Sequence, residues 1–117
     1  MTRVLTLNEF DGVHRWQSCP ATAPHNYLAL VHRHRFTVEC EFVVDGEDRA
    51  LEIFELEDRV EKFIHAQYPP FANSPDTLLD VGARSCEMVA HEICDGVDAV
   101  ACTVREDGRG GARYVRE

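Results

Sequence analysis

The clearest alternation of hydrophobic and polar positions lies between residues 27 and 44. From Leu30 onward the even-numbered positions are mainly apolar or aromatic, and the odd-numbered positions are mainly charged or polar until Val43. This period of two predicts a half-buried β-strand, because successive side chains of a strand point to opposite faces. His32 and His34 fall on the predicted apolar face, side by side at one end of the strand.

The remaining stretches show a mixture of strand and helix periods. The predicted elements are, in order, a strand over 4–13, a loop over 15–24, the strand over 27–44, a turn at 45–48, a helix over 51–66, a loop over 67–75, a helical turn over 76–81, a second helix capped by Ser85 and ended by Gly96, a strand over 97–104, a hairpin turn at 107–111 and a strand over 112–115. The order ββααββ predicts an α+β fold, an antiparallel sheet with helices on one face.

A third histidine, His14, follows the first predicted strand. If the two strands form a hairpin, His14, His32 and His34 converge from neighbouring strands. Neutral imidazoles in that arrangement can bind one cation and leave a fourth position for a substrate. The alternative is that His14 belongs to the loop and that the other two pack against aromatic side chains. We favour the metal site because the His-x-His spacing and the third histidine occur together.

Length and composition bound the class of protein and its partners. The 117 residues form one predicted domain, 1–117, large enough for a modest core without disulfides. The net charge of -9, with Lys62 as the only lysine, disfavours nucleic acid as a partner. No apolar run approaches the roughly 18 residues that span a membrane, and the N-terminus lacks a secretory pattern. We therefore expect a cytoplasmic protein with no membrane partner.

Arginines and cysteines add two further expectations. Arg15, Arg33 and Arg35 are expected to cluster around the histidines, and this local positive charge favours a small anionic ligand. The five cysteines are odd in number and contain no Cys-x-x-Cys pair, so disulfides are not expected. Cys19 lies in a predicted loop and is the one cysteine for which a catalytic role is considered. The commoner role for a free cysteine is that of a small packing residue.

Two carboxylates and two helical histidines are further candidates. Glu106 follows a strand and precedes a glycine-rich turn, where it can accept hydrogen bonds from a guanine-like or pterin-like ring; the alternative is a turn residue. Glu87 opens the second helix, where a carboxylate interacts favourably with the helix dipole; the alternative to ligand binding is a role at the helix start alone. His65 and His91 lie among polar helical neighbours and are interpreted mainly as surface residues.

The chain resembles the 6-pyruvoyl-tetrahydropterin synthase and 6-carboxy-tetrahydropterin synthase (QueD-like) family, as a divergent member. Residues 10–15, Phe-Asp-Gly-Val-His-Arg, stand where the family has Phe-x-Ala-Ala-His-Arg, and residues 32–34 stand where it has His-Gly-His. Residues 52–57 resemble the motif with which the first helix of the family begins. Residues 85–87, Ser-Cys-Glu, resemble the Thr-x-Glu motif with which its second helix begins. Residues 104–107, Val-Arg-Glu-Asp, are similar to its Val-x-Glu-Thr.

The resemblance implies the tunnelling fold (T-fold), a four-stranded antiparallel sheet with two helices on one face. It implies a zinc ion bound by His14, His32 and His34. It also implies assembly into a hexamer or another closed homo-oligomeric ring, with active sites between subunits.

The same resemblance implies the reaction. The expected activity is that of a zinc-dependent carbon–oxygen or carbon–carbon lyase acting on a dihydropterin such as dihydroneopterin triphosphate, in pterin or 7-deazapurine (queuosine-type) biosynthesis. Glu106, Glu87 and Ser85 would bind the substrate, with Glu106 anchoring the pterin ring.

The chain departs from the family at its catalytic cysteine and Asp-His pair. The cysteine lies four residues before the His-x-His motif in the family, and that position is Leu28 here. In one hypothesis, Cys19 or His65 replaces the missing group and the lyase is active. In the other, a divergent protein binds a pterin-like or purine-like ligand and performs a different metal-assisted step or none.

Overall fold

The computed structural model describes residues 1–74 and 77–117. The elements in this part of the chain are β1 (Arg3–His14), a short 3-10 helix (Asn26–Ala29), β2 (His32–Val43), α1 (Ile53–Gln67), β3 (Leu78–Gly82), α2 (Cys86–Val97), β4 (Ala101–Glu106) and β5 (Gly111–Val115). The α+β class is confirmed, with two α-helices and a five-stranded sheet.

The sheet is mixed, which corrects the predicted four antiparallel strands. Its strand order is β3-β1-β2-β4-β5, and β1 pairs in parallel with β3 while the other pairs are antiparallel. The additional strand, β3, overlaps the predicted helical turn over 76–81, where Asp76 lies outside the described residues. Five residues are too few for periodicity to separate strand from helix. The pairing partner, β1, is far away in the sequence.

Both helices pack on one face of the sheet and share a single core with it. The buried residues of α1 are Leu56, Val60 and Ile64, and α2 adds a longer apolar face that includes Val89 and Ile93. The predicted apolar face of β2 is confirmed at its centre, where every second side chain is fully buried. None of the described helices is long and apolar enough to cross a membrane.

The first half of β1 has polar side chains inside and apolar ones outside. Thr6 and Asn8 are buried, whereas Leu5 and Leu7 are about half exposed on the sheet face opposite the helices. The Asn8 amide compensates for its burial by donating to the Glu61 carboxylate at 3.0 Å and to a main-chain carbonyl of α1 at 3.1 Å. These contacts explain why this strand is weakly patterned in the sequence.

Three predicted boundaries require correction. The strand predicted over 27–44 begins at His32, because residues 26–29 form a 3-10 turn in which the Leu30 amide donates to Tyr27 O. The second helix begins after Ser85, whose hydroxyl accepts from a main-chain amide as predicted. It continues past Gly96 to a left-handed Asp98, so β4 starts at 101 rather than 97. At Gly96 a Cβ would lie 2.1 Å from the ring of Phe63 on α1.

A charged residue is buried on the open face of the sheet. Glu41 is only 8% exposed and accepts hydrogen bonds from Arg3 at 2.8 Å and from Arg113 at 2.9 and 3.0 Å. These arginines, Arg113 foremost, lower the pKa of Glu41 below its ordinary value of 4.5. The three side chains tie the strands β1, β2 and β5 together across the sheet.

Replacing this carboxylate is predicted to weaken the fold. Glu41→Gln should lower the free energy of unfolding by about 1–2 kcal/mol at pH 7, because charged hydrogen bonds are lost while the arginines regain water. Because the pKa of Glu41 is lower in the folded than in the unfolded chain, its contribution is fully present above pH 4.5 and is lost as the pH falls through the folded value. Urea unfolding at pH 7 and pH 3 measures both effects.

The control is Glu39→Gln, an exposed carboxylate on the same strand. Its free energy of unfolding should match that of the wild type within about 0.5 kcal/mol. Equal effects of the two substitutions at pH 7 would contradict a structural role of the Glu41 ion pairs.

Candidate metal centre

The pairing of β1 with β2 brings the three predicted histidines together. His14 ends β1 and lies directly opposite His32, the first residue of β2, while His34 lies opposite Gly12. The ring centroids are 4.6 to 5.2 Å apart. One ring nitrogen from each histidine lies within 4.8 Å of the others, so one cation can bind all three after small side-chain rotations.

Aromatic rings support the histidines from the core side. Phe36 stacks on Phe10 with centroids 5.1 Å apart, and the His14 ring meets Phe36 edge to face at 5.3 Å. Gly12 makes this stack possible, since a Cβ there would lie 2.9 Å from the Phe36 ring. The imidazoles therefore rest on a rigid apolar base.

Each histidine has its Nδ1 atom hydrogen-bonded to an oxygen. His14 Nδ1 lies 2.9 Å from Arg84 O, His32 Nδ1 lies 2.8 Å from Leu30 O, and His34 Nδ1 lies 2.7 Å from the Asp107 carboxylate. These oxygens can only accept, so Nδ1 carries the proton in each ring. In the neutral imidazole of this tautomer, Nε2 carries the lone pair that can bind a metal ion. This is the arrangement that holds histidine ligands around a metal ion.

Burial and missing partners also fit a cation. His14 is 8% exposed, and its burial lowers its pKa, which favours the neutral imidazole that metals require. The Nε2 atoms of His14 and His34 are buried without a hydrogen-bond partner among the described residues. Buried polar atoms are normally paired. Three nitrogen ligands of this kind match zinc, which binds imidazole in tetrahedral sites.

A fourth group lies against the imidazoles. Glu106 ends β4, and its Oε2 is 3.0 Å from His34 Nε2 while its Oε1 is 3.6 Å from His14 Nε2. Neither contact has the alignment of a hydrogen bond. The Cys86 thiol donates to Glu106 Oε1 at 3.3 Å, and burial together with this carboxylate raises the pKa of Cys86 to about 12. The thiol is therefore protonated at neutral pH.

These side chains form one wall of a cavity of about 980 Å³. Such a volume suits a small molecule rather than a polymer. Besides the histidines, the lining residues are Arg15, Trp16, Gln17, Ser18, Leu28, Ala83, Arg84, Ser85, Cys86, Glu87, Met88, Glu106, Asp107, Arg109, Gly110 and Gly111.

The structure places six of the eight predicted site residues in this cavity: His14, His32, His34, Glu106, Glu87 and Ser85. Cys19 and His65 do not line it. Cys19 follows the lining residue Ser18, but its thiol faces the Pro20 and His25 carbonyls at 3.8 to 3.9 Å. His65 lies on α1 and contacts Glu61 at 3.0 Å.

The predicted cluster of arginines is corrected. Arg33 and Arg35 point away from the cavity and form ion pairs with Asp11 and Glu9 on the opposite face of the sheet. Arg15 does line the cavity. The period of two already implies this separation for residues at odd positions.

Sequence reasoning missed Cys86, Asp107 and Arg84. Cys86 falls on the apolar face of the predicted second helix, and its position directly after the N-cap Ser85 is the one sequence signal that it lies at the start of the helix, beside the cavity. Asp107 falls in the predicted hairpin turn. The main-chain carbonyl of Arg84 has no sequence signature, because any residue supplies one.

Comparisons with known proteins bear on the fold. No protein-family model matches this sequence, and no curated protein matches it. The structure of 6-pyruvoyl tetrahydropterin synthase from Caenorhabditis elegans superposes with a TM-score of 0.69 over 99% of this chain and 96% of that chain, at 10% identity. The uncharacterized protein WS1659 from Wolinella succinogenes gives a TM-score of 0.64 over 99% and 98%, also at 10% identity. The overall α+β fold implied by the short motifs is therefore confirmed, whereas the four-stranded antiparallel sheet and the order ββααββ are not, because β3 adds a strand between the two helices.

We predict that Asp107 contributes to metal affinity without touching the ion. Asp107→Asn should weaken zinc binding about tenfold and Asp107→Ala about 10- to 100-fold, because the substitutions remove the charged acceptor that orients His34. Asparagine also tolerates the left-handed backbone of this position, where φ is 55°. Competition with a chromophoric chelator measures the affinities.

The matched control is Asp11→Asn, which removes a carboxylate on the opposite face of the sheet. Its zinc affinity should equal that of the wild type. An unchanged affinity in Asp107→Ala, with thermal unfolding showing a folded protein, would contradict the prediction.

Proposed function

We propose that this protein is a zinc-dependent lyase of the 6-pyruvoyl- or 6-carboxy-tetrahydropterin synthase type, acting on a dihydropterin. The observation that carries the proposal is the set of three imidazoles whose Nδ1 atoms are all bonded to oxygens. The fold shared with a 6-pyruvoyl tetrahydropterin synthase structure supports it. The pathway would be pterin or 7-deazapurine biosynthesis.

His14, His32 and His34 would hold the zinc ion at the inner end of the cavity. Zinc bound there would supply Lewis-acid chemistry to the substrate side chain. Burial lowers the pKa of His14 and so favours the neutral imidazole that binds a metal ion. The edge-to-face contact with Phe36 holds the His14 ring in position before substrate binds. Preorganised groups of this kind stabilise developing charge without reorganising during the reaction.

The start of α2 is the proposed binding position for the heterocycle. Glu87 lines the cavity and has no ion pair with any residue that the structure describes, so its carboxylate is available for the donor edge of a pterin ring. Ser85 lies beside it, although its hydroxyl already accepts from Met88 N. Glu106, the predicted ring anchor, also lines the cavity and lies beside the imidazoles.

An anionic group on the substrate fits the cavity rim. Arg15 and Arg109 line the cavity, and neither forms an ion pair within the described part of the chain. Guanidinium groups bind phosphate and carboxylate through paired hydrogen bonds. A phosphorylated side chain, as in dihydroneopterin triphosphate, is therefore our proposed substrate class.

We also propose a closed homo-oligomer with sites between subunits. Leu5 and Leu7 on the open face of the sheet and Trp16 and Leu30 near the cavity are about half exposed or more. Large apolar side chains grouped on a surface are typical of interfaces. A neighbouring subunit would then close the outer side of the cavity.

A second candidate function is binding of a pterin-like or purine-like ligand with a different metal-assisted step or none. The observation that favours it is Leu28, which lines the cavity at the position of the family cysteine and brings no group able to move a proton. Turnover separates the two functions, whereas ligand binding is common to both.

Metal content is the first test. The purified protein should contain about one zinc per chain, and His32→Ala should retain much less, because one of the three imidazole ligands is removed. His91→Ala, which removes an exposed histidine of α2, is the control and should keep its zinc. Elemental analysis after purification without chelators measures all three proteins; absence of metal from the wild type would overturn the lyase proposal.

Turnover of Cys19→Ser and His65→Ala tests the sequence-derived catalytic candidates. We expect both variants to consume a dihydropterin substrate at the wild-type rate, because neither side chain lines the cavity of its own chain. Loss of a proton-transfer group typically costs 10²- to 10⁴-fold in rate. A loss of that size in either variant would show that the residue acts, supplied by its own loop or by a neighbouring subunit.

A further inference from the structure

We infer that Glu106 is a fourth protein ligand of the metal ion, so that without substrate the site is a closed His₃Glu centre. The inference rests on the metal site proposed above and concerns what completes it. Its basis is the position of the Glu106 carboxylate among the imidazole nitrogens, not any feature of the sequence.

The distances from Glu106 to two of the three imidazoles fit one shared ion. In a tetrahedral site with bonds of about 2.0–2.1 Å, ligand atoms lie about 3.3–3.4 Å from one another. The Glu106 oxygens lie 3.0 Å from His34 Nε2 and 3.6 Å from His14 Nε2, on either side of that value.

Charge and hydrogen bonding point the same way. Because Nδ1 carries the proton in each ring, the Nε2 atoms of His14 and His34 present lone pairs to the Glu106 oxygens. With neutral imidazoles each contact joins two acceptors, and a metal ion bound between them relieves their repulsion, whereas a proton on Nε2 would make the contact an ion pair. The same two Nε2 atoms are buried and have no hydrogen-bond partner among the described residues, which a metal ion bound to all of them explains.

Glu106 is also held in place as a ligand would be. Its Oε1 accepts from the Cys86 thiol at 3.3 Å, and its main-chain amide donates to Gly110 O at 3.0 Å. Carboxylate ligands of metal ions are commonly hydrogen-bonded through such outer contacts. The Oε2 atom, which lies nearer His34, is thereby left for the ion.

The other carboxylates at the cavity do not compete for this role. Asp107 uses one oxygen for His34 Nδ1 and the other for the main-chain amide of Arg35 at 2.9 Å. Glu87 lines the cavity but has no ion pair with an imidazole in the described part of the chain. Glu106 alone combines proximity to two Nε2 atoms with a free oxygen.

Four protein ligands have a consequence for substrate binding. Closed zinc sites have no vacant position. A substrate oxygen must therefore either displace Glu106 or raise the coordination number to five. Displacement would leave the carboxylate beside the reacting side chain, held by Cys86.

The experiment compares wild type, Glu106→Gln and Glu87→Gln in zinc affinity and in the absorption spectrum of the Co²⁺-substituted protein. Glu106→Gln should weaken zinc binding about 10- to 100-fold and change the d–d bands of bound Co²⁺, because the anionic ligand is lost. Glu87→Gln removes the same charge from the same cavity. It should leave affinity and spectrum unchanged.

The outcomes separate this inference from the proposed function. Stoichiometric metal in wild type with the same affinity and Co²⁺ spectrum in Glu106→Gln would overturn the fourth ligand and leave the three-histidine site standing. A wild type that binds neither metal would overturn both. Equal losses in the two variants would indicate a general effect of cavity charge and would also overturn the inference.

A second measurement needs no variant. In a crystal structure of the zinc-loaded wild-type protein, a Glu106 oxygen should lie about 2.0–2.2 Å from the ion. A separation above about 3 Å would overturn the inference even if Glu106→Gln failed to fold.

Discussion

The register between β1 and β2 is the constraint on which the candidate metal centre depends. It pairs His14 with His32 and places His34 two residues further along the same face. A slip of one residue would move the pair of histidines on β2 to the opposite face of the sheet. Phe10 lies directly opposite Phe36 in this register, and their stacked rings couple the position of the ligands to the packing of the core.

Three separate segments then orient the imidazoles. The carbonyl that holds His14 belongs to Arg84, whose side chain is itself fixed by Glu92 at 2.9 Å and lies over the ring of Tyr68. Tyr68 donates to the same Glu92 at 2.8 Å, and burial raises the pKa of this tyrosine. The loop before α2 is thus tied to the core at the point where it meets the metal centre. Stability and ligand geometry are linked through one network.

The charge distribution is compatible with the anionic ligand proposed for this acidic chain. The net charge is -9, yet many carboxylates are neutralised locally, as Asp11 is by Arg33 and Arg35 on the outer face of the sheet. Arg15 and Arg109 stay available at the cavity rim. Local potential in a concave site, rather than net charge, governs recognition of a small anion.

The sequence by itself determined the elements with a sustained period and the chemistry carried by local spacing. Alternation along 32–43 predicted β2 and its buried face, and His-x-His on that face predicted two of the three converging histidines. Local spacing works here because a strand places every second side chain on the same side. The N-cap at Ser85 could also be predicted from local sequence, because a capping hydrogen bond joins residues only three positions apart.

Only the tertiary structure decided what depends on contacts between distant segments. The strand β3 forms because it pairs in parallel with β1. Its five residues are too few to show the alternation of side chains from which a strand can be predicted. Cys86, Asp107 and the carbonyl of Arg84 join the site through separations of 20 to 73 residues. Glu106 was recognised from sequence as a candidate, but its place beside the imidazoles follows from the pairing of β4 with β2. The sequence specifies the type and spacing of the side chains, whereas the distances between the candidate ligands are fixed only when the strands pair and the core packs.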